Sequence, residues 1–200
     1  MKEKHAEALA AVSRRLYARG FCDATSGNFS VRLDEERILI TATGRDKATL
    51  GPGDVVTVGL DGEPLPGEAN RPSYETKIHA RTYAATGAGA VLHAHPPHAV
   101  ALSTAVGRAI ELRGLELVKA FAGVQDPDVP LEVPVVDNDQ DMERMSRAVA
   151  AAFKKPVPAV VLRGHGVTVH GKDLDEAVRH LEALEGLAHL VCLQKQLGVR

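Results

Sequence analysis

The chain has 200 residues, 44% of them hydrophobic, a formal net charge of -2 and a pI near 6.5. That length and apolar content fit one globular domain over residues 1–200 with a sizeable core, and the near-neutral charge gives no electrostatic reason to expect nucleic acid or an anionic membrane as partner. The opening Met1-Lys2-Glu3-Lys4-His5 lacks the apolar core of a secretory signal, no apolar run approaches the ~20 residues of a membrane span, and Cys22 and Cys192 belong to no CxxC. A reducing cytoplasm is the expected compartment.

In chain order, residues 3–19 read as a helix, with Ala8, Leu9, Val12, Leu16 and Ala18 on its apolar side and Gly20 as a stop. The period then changes. Asn28 to Leu33 alternates, Ile38-Leu39-Ile40 is a short apolar run, and Asp54 to Leu60 leads into a turn at Asp61-Gly62, the pattern of antiparallel strands joined by short turns. A helix is predicted from Ser73 as N-cap, with Glu75 in its first turn. Next come a strand holding His93 and His95, a helix over 97–106, and a strand over 131–136 that Pro134 makes an edge or irregular one. A helix over 140–153, strands at 159–162 and 167–169, and a helix from Leu174 complete the pattern. The expected fold is α/β, with a mixed, mainly antiparallel sheet.

The chemistry-bearing residues fall into three groups. Residues two apart in a strand leave the same face, so His93 and His95 project together, and His165 in Arg163-Gly164-His165-Gly166 offers a third imidazole from a turn. Three protein ligands and an open position make a catalytic metal site rather than a closed structural one. Imidazole accepts several metals, so zinc is not fixed by the ligands alone. The other six histidines read as solvated or supporting. Glu75 is either a helix-dipole partner or a site carboxylate, and Glu116, in an apolar stretch, is either exposed or a general base with a pKa raised by partial burial. Thr25-Ser26-Gly27-Asn28 and Thr41 to Lys47 combine small residues, hydroxyls and cations. Each alone reads as a turn, but together they suggest a phosphate cradle; no GxxxxGK[ST] is present.

Ser26-Gly27-Asn28 with Ser30-Val31-Arg32, Thr43-Gly44, Pro72-Ser73 with Glu75, His93-Ala94-His95 and Gly164-His165-Gly166 stand in the order found in the class II aldolase/adducin family, which this chain resembles from about residue 5 to 195. Gly44-Arg45-Asp46-Lys47, Glu116 to Phe121, Asp137 to Asp141 and Arg179 to Glu185 resemble its dehydratase branch, which acts on a methylthio-substituted ketose phosphate in methionine salvage. The resemblance implies an α/β/α fold around a central, mainly antiparallel sheet, one Zn2+ per subunit on His93, His95 and His165, and a homotetramer with active sites near subunit interfaces. It further implies phosphate binding by Ser26, Gly27, Asn28, Thr43, Gly44 and Ser73 with Lys47 nearby, Glu116 as acid/base, and Glu75 as a further ligand or base. Tyr74 stands where many relatives carry a small residue. The alternatives are a sugar-phosphate aldolase or 4-epimerase using the same site, and a non-catalytic interaction module like the adducin head.

Overall fold

A computed structural model describes residues 2–198. The elements are α1 (Lys2–Ala18), β1 (Asn28–Arg32), β2 (Arg37–Thr41), β3 (Val55–Gly59), α2 (Thr76–Thr86), β4 (Ala90–Ala94), α3 (Pro97–Thr104), β5 (Ala109–Leu112), β6 (Leu131–Val136), α4 (Met142–Ala152), β7 (Ala159–Leu162), β8 (Gly166–Gly171) and α5 (Leu174–Gln196). Asp23–Thr25 and Glu116–Ala120 form 3-10 segments. No described helix is long and apolar enough to cross a membrane.

The eight strands form one sheet in the order β3-β2-β1-β4-β8-β7-β6-β5, with every neighbouring pair antiparallel except β6 and β7. This is the mixed, mainly antiparallel sheet that the alternating runs predict. Side-chain alternation divides its two faces. Phe29, Val31, Leu92, Ala94, Val161 and Val169 pack with α1, α3 and α5, whereas Ile38, Ile40, Val58, Val91, Val160 and Leu162 pack with α2 and α4. The sheet is therefore covered on both sides, which is why β4 and β7 are buried along their whole length.

Two expectations are corrected here. Of the two readings of Pro134, the edge is excluded and the irregular strand holds: β6 lies inside the sheet, and the strand changes partner where the proline falls. Leu131 to Pro134 pair with β5, while Val135 and Val136 pair with β7, so the missing N–H falls at the junction between two short ladders. The edge is β5, which the sequence pattern did not single out. The second correction concerns α2, which starts at Thr76 rather than at Ser73. Ser73 forms a local turn instead, its hydroxyl accepting from the Glu75 N–H at 3.2 Å and its carbonyl from the Thr76 N–H at 3.1 Å. Glu75 holds the N-cap position without capping, since its side chain turns into the site.

Candidate metal centre

Strand register assembles the site. In β4, His93 stands opposite Asn28 of β1 on one side and Thr168 of β8 on the other, so the three side chains form a row on the face covered by α2. His93 is fully buried. His95 lies just past the end of β4, where its N–H donates to the Phe21 carbonyl at 2.8 Å. His165 comes from the tight β7–β8 turn. Arg163 pins that turn: its guanidinium donates to the Ser103, Val106 and Gly107 carbonyls at the end of α3 and to Asp137 at 2.8 Å. Four donated bonds from a planar cation fix the chain two residues before His165.

The three imidazoles converge. Their ring centroids are 5.0 to 5.1 Å apart, and among the described residues His93, His95 and His165 are the group whose ligand atoms could hold a metal ion. Nε2 of His93 lies 3.1 Å from Nε2 of His95. A tetrahedral ion with metal–nitrogen bonds of about 2.0–2.1 Å needs ligand nitrogens about 3.3 Å apart, so the spacing fits. Burial, reinforced by the neighbouring imidazoles, pushes His95 down to about 4, and burial likewise lowers His93, which keeps their lone pairs free near neutral pH. The far ring nitrogens are also engaged: Nδ1 of His165 lies 3.1 Å from Asn138 Oδ1, and Nδ1 of His93 lies 3.3 Å from Thr168 Oγ1. Gly166 makes the convergence possible, because a Cβ there would lie 2.7 Å from both the Ala94 carbonyl oxygen and the His95 ring.

Glu75 completes the cluster. Its Oε2 lies 3.4 Å from His93 Nε2 and its Oε1 3.2 Å from His165 Nε2, while the Asn28 amide donates to Oε2 at 2.7 Å. Burial alone would raise this carboxyl, but His93, His165 and Asn28 together hold it well below the usual carboxylate range. The three-ligand site expected to be open thus has an ionised carboxylate at its fourth side.

Glu75, His95 and His165 line a cleft of about 580 Å³, with His93 buried behind them. Every residue predicted for the phosphate cradle lines it: Ser26, Gly27, Asn28, Thr43, Gly44, Lys47 and Ser73. Gly27 has a φ of +78°, and a Cβ there would meet the His93 carbonyl oxygen at 3.2 Å. The preceding Ala24 and Thr25 are themselves in the left-handed region, so the approach to the cleft is a strained turn. Lys47 is 1% exposed and donates to the Thr25 and Arg45 carbonyls at 3.0 and 2.9 Å. No carboxylate among the described residues pairs with it, and burial lowers its pKa.

One expectation changes and another narrows. The Asn28 side chain is already committed through one amide N–H to Glu75 and through its carbonyl to His79, which leaves a single N–H for the cleft. Glu116 does not have the partial burial expected of a general base: its side chain is 74% exposed, pairs with Lys119 at 2.7 Å and is not part of the cleft. The 3-10 turn directs it outward while the buried Val118 holds the segment to the core. Among the supporting histidines, His79 is fully buried behind the site. Its position opposite Asn28 and Ser30 depends on strand register, which no local signal reveals.

The Class II Aldolase and Adducin N-terminal domain family model matches residues 7–192. A methylthioribulose-1-phosphate dehydratase of Acidiphilium cryptum is 41% identical over 194 residues, covering 96% of this chain and 92% of the relative. One from Pseudomonas paraeruginosa is 42% identical over 191 residues, covering 93% and 92%. The structure of l-fuculose-1-phosphate aldolase from Thermus thermophilus superposes with a TM-score of 0.81 at 33% identity, covering 98% of this chain and 97% of that one. A matching family model across nearly the whole chain, with these relatives, means that the chain belongs to the class II aldolase and adducin N-terminal domain family.

Proposed function

We propose that this chain is a metal-dependent hydro-lyase that converts 5-methylthioribulose 1-phosphate to 2,3-diketo-5-methylthiopentyl 1-phosphate in methionine salvage. The observation that carries the chemistry is the convergence of three imidazoles and one carboxylate at a cleft that Lys47 also lines. The choice of substrate is supported by the dehydratases that share about two fifths of their residues with this chain along almost its full length.

In this reading His93, His95 and His165 hold a zinc ion. A divalent ion bound there supplies Lewis-acid polarisation of the ketose carbonyl and so acidifies the adjacent C–H. Lys47, with Thr43, Gly44, Ser73 and the backbone of Ser26 and Gly27, takes the 1-phosphate and sets the sugar's position along the cleft. Glu116 takes the proton from C3 and returns a proton to the C4 hydroxyl as water leaves; the resulting enol tautomerises to the diketone. Because Glu116 lies on the surface, a second copy of the chain in a homotetramer presents it to this cleft. Glu75 is nearer but poorly matched as the base, since its contacts with Asn28, His93 and His165 hold its carboxyl well below the usual range. Its role is to hold the fourth side of the histidine cluster until substrate oxygens arrive.

The aldolase likeness supports a second reading, retro-aldol cleavage of a fuculose-type phosphate. Dehydration breaks C3–H and C4–O, whereas cleavage breaks C3–C4. Purified protein offered both substrates separates the two: diketone formation supports the dehydratase, and lactaldehyde release without diketone overturns it.

A further inference from the structure

Behind Glu75 a single file of buried side chains runs into the sheet. Asn28 Nδ2 lies 2.7 Å from Glu75 Oε2, and Asn28 Oδ1 lies 2.6 Å from His79 Nε2. His79 Nδ1 lies 2.7 Å from Ser30 Oγ, which in turn lies 2.8 Å from the Tyr83 hydroxyl. Asn28 and Ser30 belong to β1, and His79 and Tyr83 to α2. Asn28 is 5% exposed, Tyr83 1%, and Ser30 and His79 not at all, so the file is shut off from bulk solvent.

Only one pattern of donors satisfies every link. Glu75 is a carboxylate and can only accept, so the Asn28 amide must present its NH2 to it. The Asn28 carbonyl then faces His79 and needs a donor, which places the proton on Nε2. Nδ1 consequently carries a lone pair and accepts from the Ser30 hydroxyl, which accepts from Tyr83. The alternative, a His79 protonated on Nδ1, requires the Asn28 amide to turn over. That sets two oxygen acceptors 2.7 Å apart at Glu75, a buried clash of like partial charges. Burial, together with the nearby His93, pushes His79 down to about 3, so the ring stays neutral. The file cannot pass protons along, because the Asn28 amide interrupts it.

We propose that His79 is a positioning residue: its Nε2–H fixes the Asn28 amide, which aims its NH2 at Glu75 and holds that carboxylate against the three site histidines. The role rests on the proposed metal-dependent reading for its effect on zinc affinity. The proton's place on the ring follows from the hydrogen-bond file alone.

The test therefore has two parts. In histidine-15N-labelled wild-type protein loaded with zinc, two-dimensional NMR at pH 7.5 reads the tautomer directly. His79 is expected to show a protonated Nε2 and an unprotonated Nδ1; a protonated Nδ1 or an imidazolium overturns the proposal. The second part compares His79→Gln, whose amide NH2 can still donate to Asn28, with His79→Leu, which cannot. Zinc affinity should fall 10- to 100-fold in His79→Leu and return to within about threefold of wild type in His79→Gln, the usual effect of removing a hydrogen-bond partner behind a metal site. Equal affinity in all three proteins, or a His79→Gln no better than His79→Leu, overturns the role. If His79→Leu does not fold, the tautomer and the His79→Gln affinity still decide. Wild-type protein that ignores 5-methylthioribulose 1-phosphate yet shows the Nε2–H ring would contradict the proposed function and leave the positioning role standing.

Discussion

At the scale of single residues, the division of labour between the two acids is the sharpest question. Glu75 touches two of the three imidazoles, whereas Glu116 pairs with Lys119 on the surface. If Glu116 is the acid/base, Glu116→Gln lowers kcat at least 100-fold while zinc content and KM stay near wild type; steady-state kinetics with metal analysis on the same protein check this, and wild-type turnover would remove Glu116 from the reaction. Glu75→Gln instead weakens zinc retention. Lys47 has a different signature. Replacing it with Met removes a charge-assisted contact worth about 1.5–3 kcal/mol, so KM for the phosphate ester rises roughly 10- to 100-fold with kcat much less affected. The histidine triad was legible because strand spacing and a glycine-framed turn are local signals. The burial of Glu75 and the exposure of Glu116 were not, because both follow from where a turn leaves the chain relative to distant strands.

At the scale of elements, the segment Arg179 to Glu185 of α5 acts as a buckle. Arg179 donates to the Ala120 carbonyl, His180 accepts the Ala122 N–H at Nε2, and Glu182 pairs with Arg15 and Arg19 of α1. Glu185 accepts from the His98 and Ala99 N–H groups at 3.0 Å each and lies 2.6 Å from His98 Nδ1, satisfying the start of α3 from another helix. α3 begins two residues after His95, so this clamp also steadies a site residue. Glu185→Ala is expected to cost about 1–3 kcal/mol, read as a lower midpoint in urea unfolding, because two buried donors lose their partner. The sequence pattern placed these residues on a helix; their partners are 58 to 167 positions away or in another element and carry no local trace. The same limit explains Pro134. A proline in a strand pattern argues for an edge, and only the partner change between β5 and β7 shows how an interior strand accommodates it.

At the scale of the molecule, the two-sided sheet buries His93 and His79, and acid works against that burial. His79 has a folded pKa of about 3 against an ordinary value of 6.5. Between those values the unfolded chain binds more protons, so the stability from keeping His79 neutral is complete above about pH 6.5 and is lost as pH falls toward 3. By pH 5 the loss is about 2 kcal/mol from His79 alone, with His95 and His170, both pushed down to about 4, acting in the same direction. Denaturant melts of metal-free protein at pH 7.5 and 5.0 should show this fall, and stability unchanged across that range would contradict it. In the proposed reading the exposed Glu116 acts from a neighbouring copy: light scattering is expected to give a homotetramer, and an active monomer would exclude delivery of Glu116 by a neighbour. The most direct test of the whole account is product analysis of one sample before and after zinc is stripped and restored, with 5-methylthioribulose 1-phosphate as substrate. The account predicts diketone formation that disappears with the metal and returns at one zinc per chain. Turnover that survives complete metal removal, or aldehyde release in place of diketone, would contradict it.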